Sequence, residues 1–252
     1  MCDIRKYLYR KLVILKLSNP EKNQQKKEAA LRAVDQVKSG QRVGLGTGST
    51  AAFAIEELGR RKREEGLDIL CVVTSYQSQT LALQYGLNIL PLSAVDRLDI
   101  SIDGCDEIDA DFCLIKGGGG AHTVEKIVHA MSECFIVISD SSKRVKRLGE
   151  KFAVPVEIIP SALSFVQKEL LRLGSSEAIL RAAINKDGPI ITDSGNFILD
   201  ARFFIKDPFK LEREIKSIPG VIENGIFASE EVKPFISIIS GDNGLEINRN
   251  ER

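Results

Sequence analysis

The residues best equipped for chemistry lie in CLIKGGGGAHTVEKI, residues 113–127, where Lys116 precedes four consecutive glycines and Glu125 follows within a helical pattern. Glycine loses more conformational freedom on folding than any other residue, so such a run implies a close approach to the backbone. A carboxylate beside a lysine and a set of unobstructed N–H groups could take a proton next to a carbonyl and hold the oxyanion that results. The alternative is structural: Glu125 complements the helix dipole and Lys116 is a solvated charge.

Other segments add to this one. In GLGTGST, Gly44–Thr50, the glycines Gly44, Gly46 and Gly48 lie between a strand pattern and a helix pattern, with Thr47, Ser49 and Thr50 supplying hydroxyls. Backbone N–H groups at a helix N-terminus bind phosphate well. No Gly-Lys-Ser/Thr follows, and Ser49 stands where a dinucleotide fingerprint needs its third glycine. A plain strand–helix turn capped by Thr50 would use the same residues. In SIDGCDEID, residues 101–109, Asp103 and Asp106 flank Gly104 and Cys105 at the end of an apolar strand. They could hold sugar hydroxyls, shuttle a proton or bind Mg²⁺; they could equally be Asx-turn residues. SDSSK, residues 139–143, presents Lys143 after a buried strand pattern, or is a helix cap before the basic run KRVKR.

Alternation of apolar strands and amphipathic helices from about Gln25 to Ala153 predicts a Rossmann-like α/β fold, with a mostly parallel sheet covered by helices on both faces. Helices are expected from about Gln25, over Thr50–Lys62, over Tyr76–Tyr85 and over Ala121–Glu133. Beyond Ala153 the order reads βαββαβ, with two short strands joined through Asp193–Asn196 and a helix capped by Asp207 with Pro208 at its first position, which suits a small ferredoxin-like α+β domain. The expected organisation is an N-terminal extension over 1–24, a catalytic α/β domain over 25–152 plus 229–252, and the small domain over 153–228. In this fold the motif-bearing segments all end strands of one parallel sheet and share an edge.

Composition limits the options. Lys plus Arg and Asp plus Glu each number 35, so no global field recruits nucleic acid or an anionic membrane. Five cysteines without C-x-x-C spacing, and only two histidines, fit free thiols in a reducing cytosol rather than a disulfide framework or a zinc site. No apolar run reaches the roughly 18–20 residues that span a bilayer. The N-terminal residues do not read as a signal peptide, so a cytoplasmic location is expected.

The ordered motifs VGLGTGSTAAF, DGCDEID, KGGGGAHTVEKI and SDSSKRV resemble those of type A ribose-5-phosphate isomerases, over a stretch from about Lys26 to near Gly241. The resemblance implies interconversion of D-ribose 5-phosphate and D-ribulose 5-phosphate through a cis-enediolate, without cofactor or metal, by a homodimer or homotetramer. It makes Glu125 the general base. Substrate would be bound by Thr47, Gly48, Ser49 and Thr50, by Asp103, Gly104, Cys105 and Asp106, by Lys116, Gly117, Gly118 and Gly119, and by Lys143. Lys26, in QQKKEAA, matches a lysine that can reach the phosphate. Asp103 is the candidate for opening the furanose, with Lys116 and the glycine N–H groups facing the oxyanion. The chain departs from the family's usual residues at Gly120, His122 and Cys105.

Other classes fit less well. An amino-sugar deaminase on the same fold would use a catalytic histidine. A sugar-phosphate sensor of a transcriptional regulator would need a helix-turn-helix ahead of the first sheet helix, and it gives Glu125 no purpose. An NAD-binding protein would need the third glycine and a ribose-binding acid.

Overall fold

The computed structural model describes residues 20–232 and 234–250. Most of the expected 1–24 extension lies outside the described residues. Its last part, from Pro20, opens the first helix, α1 (Pro20–Val34), five residues before the expected start at Gln25. Proline is favoured in a first helical turn, and Glu21 there complements the helix dipole.

The chain continues through β1 (Arg42–Leu45), α2 (Ser49–Glu65), β2 (Leu70–Val73), α3 (Tyr76–Gln84), β3 (Asn88–Ile89), β4 (Leu98–Asp103), β5 (Glu107–Ile108) and β6 (Leu114–Ile115). Next come α4 (His122–Ala130), β7 (Ser132–Asp140), β8 (Val154–Ile158), α5 (Leu163–Arg172), β9 (Glu177–Leu180) and β10 (Phe197–Arg202). It closes with α6 (Pro208–Lys216), β11 (Val221–Asn224), β12 (Ile226–Phe227), β13 (Ile236–Gly241) and β14 (Gly244–Arg249). Contacts divide these into two compact units. One takes the chain up to Gly104, Met131–Ser141 and the segment from Phe235; the other takes Cys105–Ala130 and Ser142–Pro234. The stretch expected as a small domain, 153–228, falls in the second unit, which also holds 105–130 and 142–152.

The first unit is a seven-stranded sheet in the order β14-β13-β7-β4-β1-β2-β3. All neighbours are parallel except the β13–β14 hairpin. Its strands are apolar because both faces are covered: β1, β4 and β7 bury Val43, Leu45, Ile100, Ile102, Ile136 and Ile138. Helix α1 packs on α2, β7 and β13 through Ala29, Ala30, Ala33 and Val34, small side chains that let the helix come close. Each fully buried Ile or Leu contributes about 1.5–3 kcal/mol, so the paired strands dominate the stability of this unit. After β1 the chain builds outward to β2 and β3, then returns to place β4 on the other side of β1. The order therefore reverses between β1 and β4, and open α/β sheets bind ligands beyond the carboxyl ends at such a point.

The second unit holds a four-stranded antiparallel sheet, β11-β8-β10-β9, carrying α5 and α6 in βαββαβ order. Asp207 caps α6 as expected, accepting from the Lys210 N–H at 2.9 Å, with Pro208 in the first turn. The turn at Asp193–Asn196 is present, but the residues before it do not form a strand. Pro189 brings no N–H to a ladder, and the segment makes a single bridge, Ala182 to Pro189. The strand paired with β10 is β9 instead. Residues Met131–Glu133, expected as the end of a helix, lie beyond α4: Met131 makes a turn and Ser132 and Glu133 begin β7. VIENGIFAS divides at Gly225 into β11, in the four-stranded sheet, and β12, which pairs with β6 in a three-stranded sheet, β12-β6-β5.

That last sheet corrects one expectation. The segments after β1, β4 and β7 do leave adjacent strands of the parallel sheet, but the glycine loop follows β6, which is antiparallel to both its neighbours. A run as short as LI carries no signal of its partner's direction.

His122, at the start of α4, is fully buried, and neither ring nitrogen has a hydrogen-bond partner among the described residues. Burial first, then the charges of Lys126 and Arg181, push its pKa down to about 3, against a smaller pull from Glu223. The unfolded chain, with histidine near 6.5, binds the proton more readily, so stability rises with pH across this window. It is fully present above about 6.5 and is lost progressively as pH falls toward 3. Melting temperatures measured between pH 7.5 and 4.5 should fall for the wild type, and less steeply for His122→Leu.

Candidate active site

In the first unit, the β1–α2 loop and the end of β4 are joined by one carboxylate. Asp103 is fully buried, and its Oδ1 accepts the Thr47 N–H at 3.1 Å and the Gly104 N–H at 2.7 Å. A Cβ at Gly46 would stand 2.0 Å from that carboxylate, so the glycine is required by the protein itself. Asp103 thus does make the turn-type bond that the structural alternative foresaw, and also ties two motifs together.

Helix α2 opens without an acidic residue in its first turn and without a side-chain cap, on Gly48. Thr50 is therefore not its N-cap. The Gly48 N–H donates to Gln77 Oε1 at 3.0 Å, and Thr47 Oγ1 lies 2.7 Å from both Thr74 Oγ1 and Ser75 Oγ. Lys26, half-buried on α1, reaches Ser49 Oγ at 3.2 Å. A lysine, hydroxyls and an uncapped helix N-terminus together make a good cradle for an anion. Thr74, Ser75 and Gln77 were not foreseen as part of it. The available signal was their place just after β2, another carboxyl end in the same sheet.

In the second unit Lys116 directly follows β6 and Glu125 sits in the first turn of α4. Their side chains are 3% and 5% exposed, with Nζ 3.3 Å from Oε2. Lys116 Nζ also lies 5.6 Å from the centre of the Phe227 ring. Isolated charges in such a place would each cost several kcal/mol, so each of these two requires the other. Helix α4 is held by the next residue along: Lys126 Nζ donates to Glu212 Oε1 at 2.8 Å, Glu223 Oε1 at 3.1 Å and the Ile226 carbonyl at 2.7 Å.

The glycine loop between these two residues is shaped by the protein. Gly117 has φ 104°, a left-handed backbone, and a Cβ there would lie 2.7 Å from His122 Nδ1. The Gly118 N–H donates to Asp106 Oδ2 at 2.8 Å, and a Cβ at Gly118 would stand 2.8 Å from Asp106 Oδ1. Gly118 and Gly119 are themselves exposed. The expectation that all the glycine N–H groups face an oxyanion thus changes for Gly118, whose N–H is engaged by Asp106.

Glu107, unassigned from the sequence, is fully buried and accepts the N–H groups of Gly149, Lys151 and Phe152 at 2.6, 2.5 and 2.7 Å. Lys151 Nζ in turn donates to the carbonyls of Ser142 and Arg144, on either side of half-buried Lys143. The expected residues therefore gather as two sets. Lys26, Thr47, Gly48, Ser49, Thr50, Asp103 and Gly104 lie in the first unit, and Cys105, Asp106, Lys116–Gly119, Glu125 and Lys143 in the second. Among the described residues no group of three or more His, Cys, Asp or Glu is placed to hold a metal ion.

Known proteins share this fold and much of this sequence. The family described as ribose 5-phosphate isomerase A (phosphoriboisomerase A) matches residues 70–241. Ribose-5-phosphate isomerase A of Methanothermobacter thermautotrophicus is 55% identical over 204 residues, spanning 81% of this chain and 89% of that protein. The solved ribose 5-phosphate isomerase A of Methanocaldococcus jannaschii superposes with a TM-score of 0.86 at 45% identity, covering 90% of this chain and 98% of its own. A D-ribose-5-phosphate isomerase solved in complex with phospho-erythronic acid gives the same TM-score at 43% identity, over 90% of this chain and 98% of that one. The chain belongs to the ribose 5-phosphate isomerase A family.

Proposed function

We propose that this chain interconverts D-ribose 5-phosphate and D-ribulose 5-phosphate, a step of the non-oxidative pentose phosphate pathway. The observation that carries the reading is the buried Lys116–Glu125 pair beside an exposed glycine loop, in a member of this family. In the open-chain aldose, the Glu125 carboxylate takes the C2 proton while the electron pair moves toward the C1 carbonyl. Charge then spreads over O1 and O2 of a cis-enediolate. The same carboxyl returns the proton to C1, and the O2 hydroxyl proton passes to O1, leaving the ketose. One general acid–base group of this kind contributes about 10²–10⁴-fold.

Lys116 is the cation for the developing oxyanion, worth roughly 3–4 kcal/mol if it acts like a preorganised donor. The Gly119 N–H is the backbone donor, with Gly118 serving to hold Asp106. Asp106 and Lys143 bind hydroxyls, with Gly104, Cys105 and Gly117 as the backbone around them. Asp103 assists furanose opening. Lys26, Thr47, Gly48, Ser49 and Thr50 take the phosphate, as the uncapped α2 N-terminus supports. Family resemblance supports a homodimer or homotetramer in the cytoplasm. Among the described residues no helix is long and apolar enough to cross a membrane.

Purified protein treated with EDTA should isomerise ribose 5-phosphate, and Glu125→Gln should lose at least about 10²-fold in kcat while circular dichroism still reports a folded chain. Binding without turnover in the wild type would favour the sensor reading instead. Lys26→Met should raise KM for ribose 5-phosphate several-fold and leave kcat within about twofold, the mark of an interaction made equally in ground and transition states. Gly118→Ala drives a methyl group into the Asp106 carboxylate. Steady-state kinetics of that variant should show at least about tenfold lower kcat/KM, and wild-type values would remove the loop from the mechanism.

A further inference from the structure

Arg181 follows β9 and lies outside every motif that points to the reaction. Its side chain is 14% exposed, against 30% for Asp200 on β10, which takes Nε at 2.8 Å and also pairs with Nη2. The remaining guanidinium nitrogen, Nη1, donates to the Gly117 carbonyl at 2.8 Å and approaches the Gly118 carbonyl at 3.4 Å. A half-buried guanidinium, oriented by a two-point carboxylate clamp, is thus spent on the backbone of the glycine loop.

A trans peptide points its C=O and N–H in opposite directions. Holding the Gly117 carbonyl on Arg181 sends the Gly118 N–H away from the guanidinium, where Asp106 Oδ2 receives it at 2.8 Å. Holding the Gly118 carbonyl sends the Gly119 N–H the same way. Among the described residues that N–H has no partner, and Gly119 is exposed. Four adjacent glycines have nearly free φ and ψ, so their peptide planes depend on the bonds that hold them. The Gly120 N–H closes a turn onto the Gly117 carbonyl at 3.0 Å, and Arg181 holds that carbonyl and approaches the Gly118 carbonyl from outside the loop.

We propose that Arg181, clamped by Asp200, is a positioning residue that aims the Gly119 N–H at the oxygen on which charge develops. This rests on the isomerase reading given above. Arg181 touches no reacting atom; it acts through two peptide planes. A donor displaced by about 1 Å can cost about 10²-fold in rate, and the loss falls on the transition state more than on substrate binding.

The test compares Arg181→Met, Arg181→Lys and Asp200→Asn with wild type in three readouts: thermal unfolding, kcat and KM for ribose 5-phosphate, and inhibition by phospho-erythronic acid. Folded Arg181→Met should lose about 10- to 100-fold in kcat with KM within about threefold, and its inhibition constant should rise in step with the fall in kcat/KM. Arg181→Lys should recover part of both losses, since an ammonium can still reach one carbonyl, and Asp200→Asn should show a smaller loss of the same kind. If Arg181→Met does not fold, the other two variants decide. Wild-type kcat and inhibitor affinity in a folded Arg181→Met, or in both Arg181→Lys and Asp200→Asn, would overturn the inference alone. A loss confined to KM would do the same. Absence of turnover in the wild type would instead overturn the isomerase reading, and this inference with it.

Discussion

Two opposite charges out of reach of water constrain the second unit more than any other contact. Lys116 and Glu125 are placed by different kinds of element, the end of a two-residue strand and a helix, and neither charge is tolerable where it lies without the other. Much of the surrounding structure reads as support for that pairing. The Gly225 carbonyl takes the Lys116 N–H at 2.9 Å and so fixes the strand end. Lys126 and its two glutamates fix the helix. The intervening loop is then short enough, and free enough of side chains, to close the distance between them.

The first unit solves a different problem, the placement of an anion cradle, by strand order. Because β4 returns beside β1, the sheet has a switch point between these two strands, the place where open α/β sheets bind ligands, which a sheet wound in one direction would not provide. Asp103 bridges its two sides with a single carboxylate oxygen. The helix end beside it carries no acidic residue and no side-chain cap, at a small cost to helix stability, about a few tenths of a kcal/mol for glycine in place of a capping side chain. Such a local cost at a helix terminus is expected where function competes with stability.

Much of this was legible in the chain. Apolar runs separated by glycine, with helical spacing between them, located β1, β4, β7 and the helices α2 and α4 because both faces of the sheet are buried and both helices are amphipathic. Asp207–Pro208 located the start of α6 through local capping chemistry. What stayed hidden depends on partners distant in sequence. The two-residue strands β5 and β6 are defined by each other and by β12, so their antiparallel pairing has no local signature. Glu107 and Arg181 look like ordinary surface charges; only the tertiary structure shows them holding the loops at 149–152 and 117–118. The glycine run was legible as a close approach, but what approaches first is the protein's own Asp106 and His122.

The division of the chain carries a consequence for how the protein is made. Neither unit is continuous: the backbone passes between them at 104/105, 130/131, 141/142 and 234/235. β7 lies between β4 and β13, and β13 leaves the ribosome roughly a hundred residues after β7. Until then one edge of β7 is bare, an apolar strand of nine residues offering an unpaired ladder to any neighbour. Completion of the sheet therefore waits for closure of a long loop, which raises contact order and slows folding. Interleaving the chain in this way commits the nascent protein to finishing both units together, with an aggregation-prone edge exposed while the second unit is synthesised.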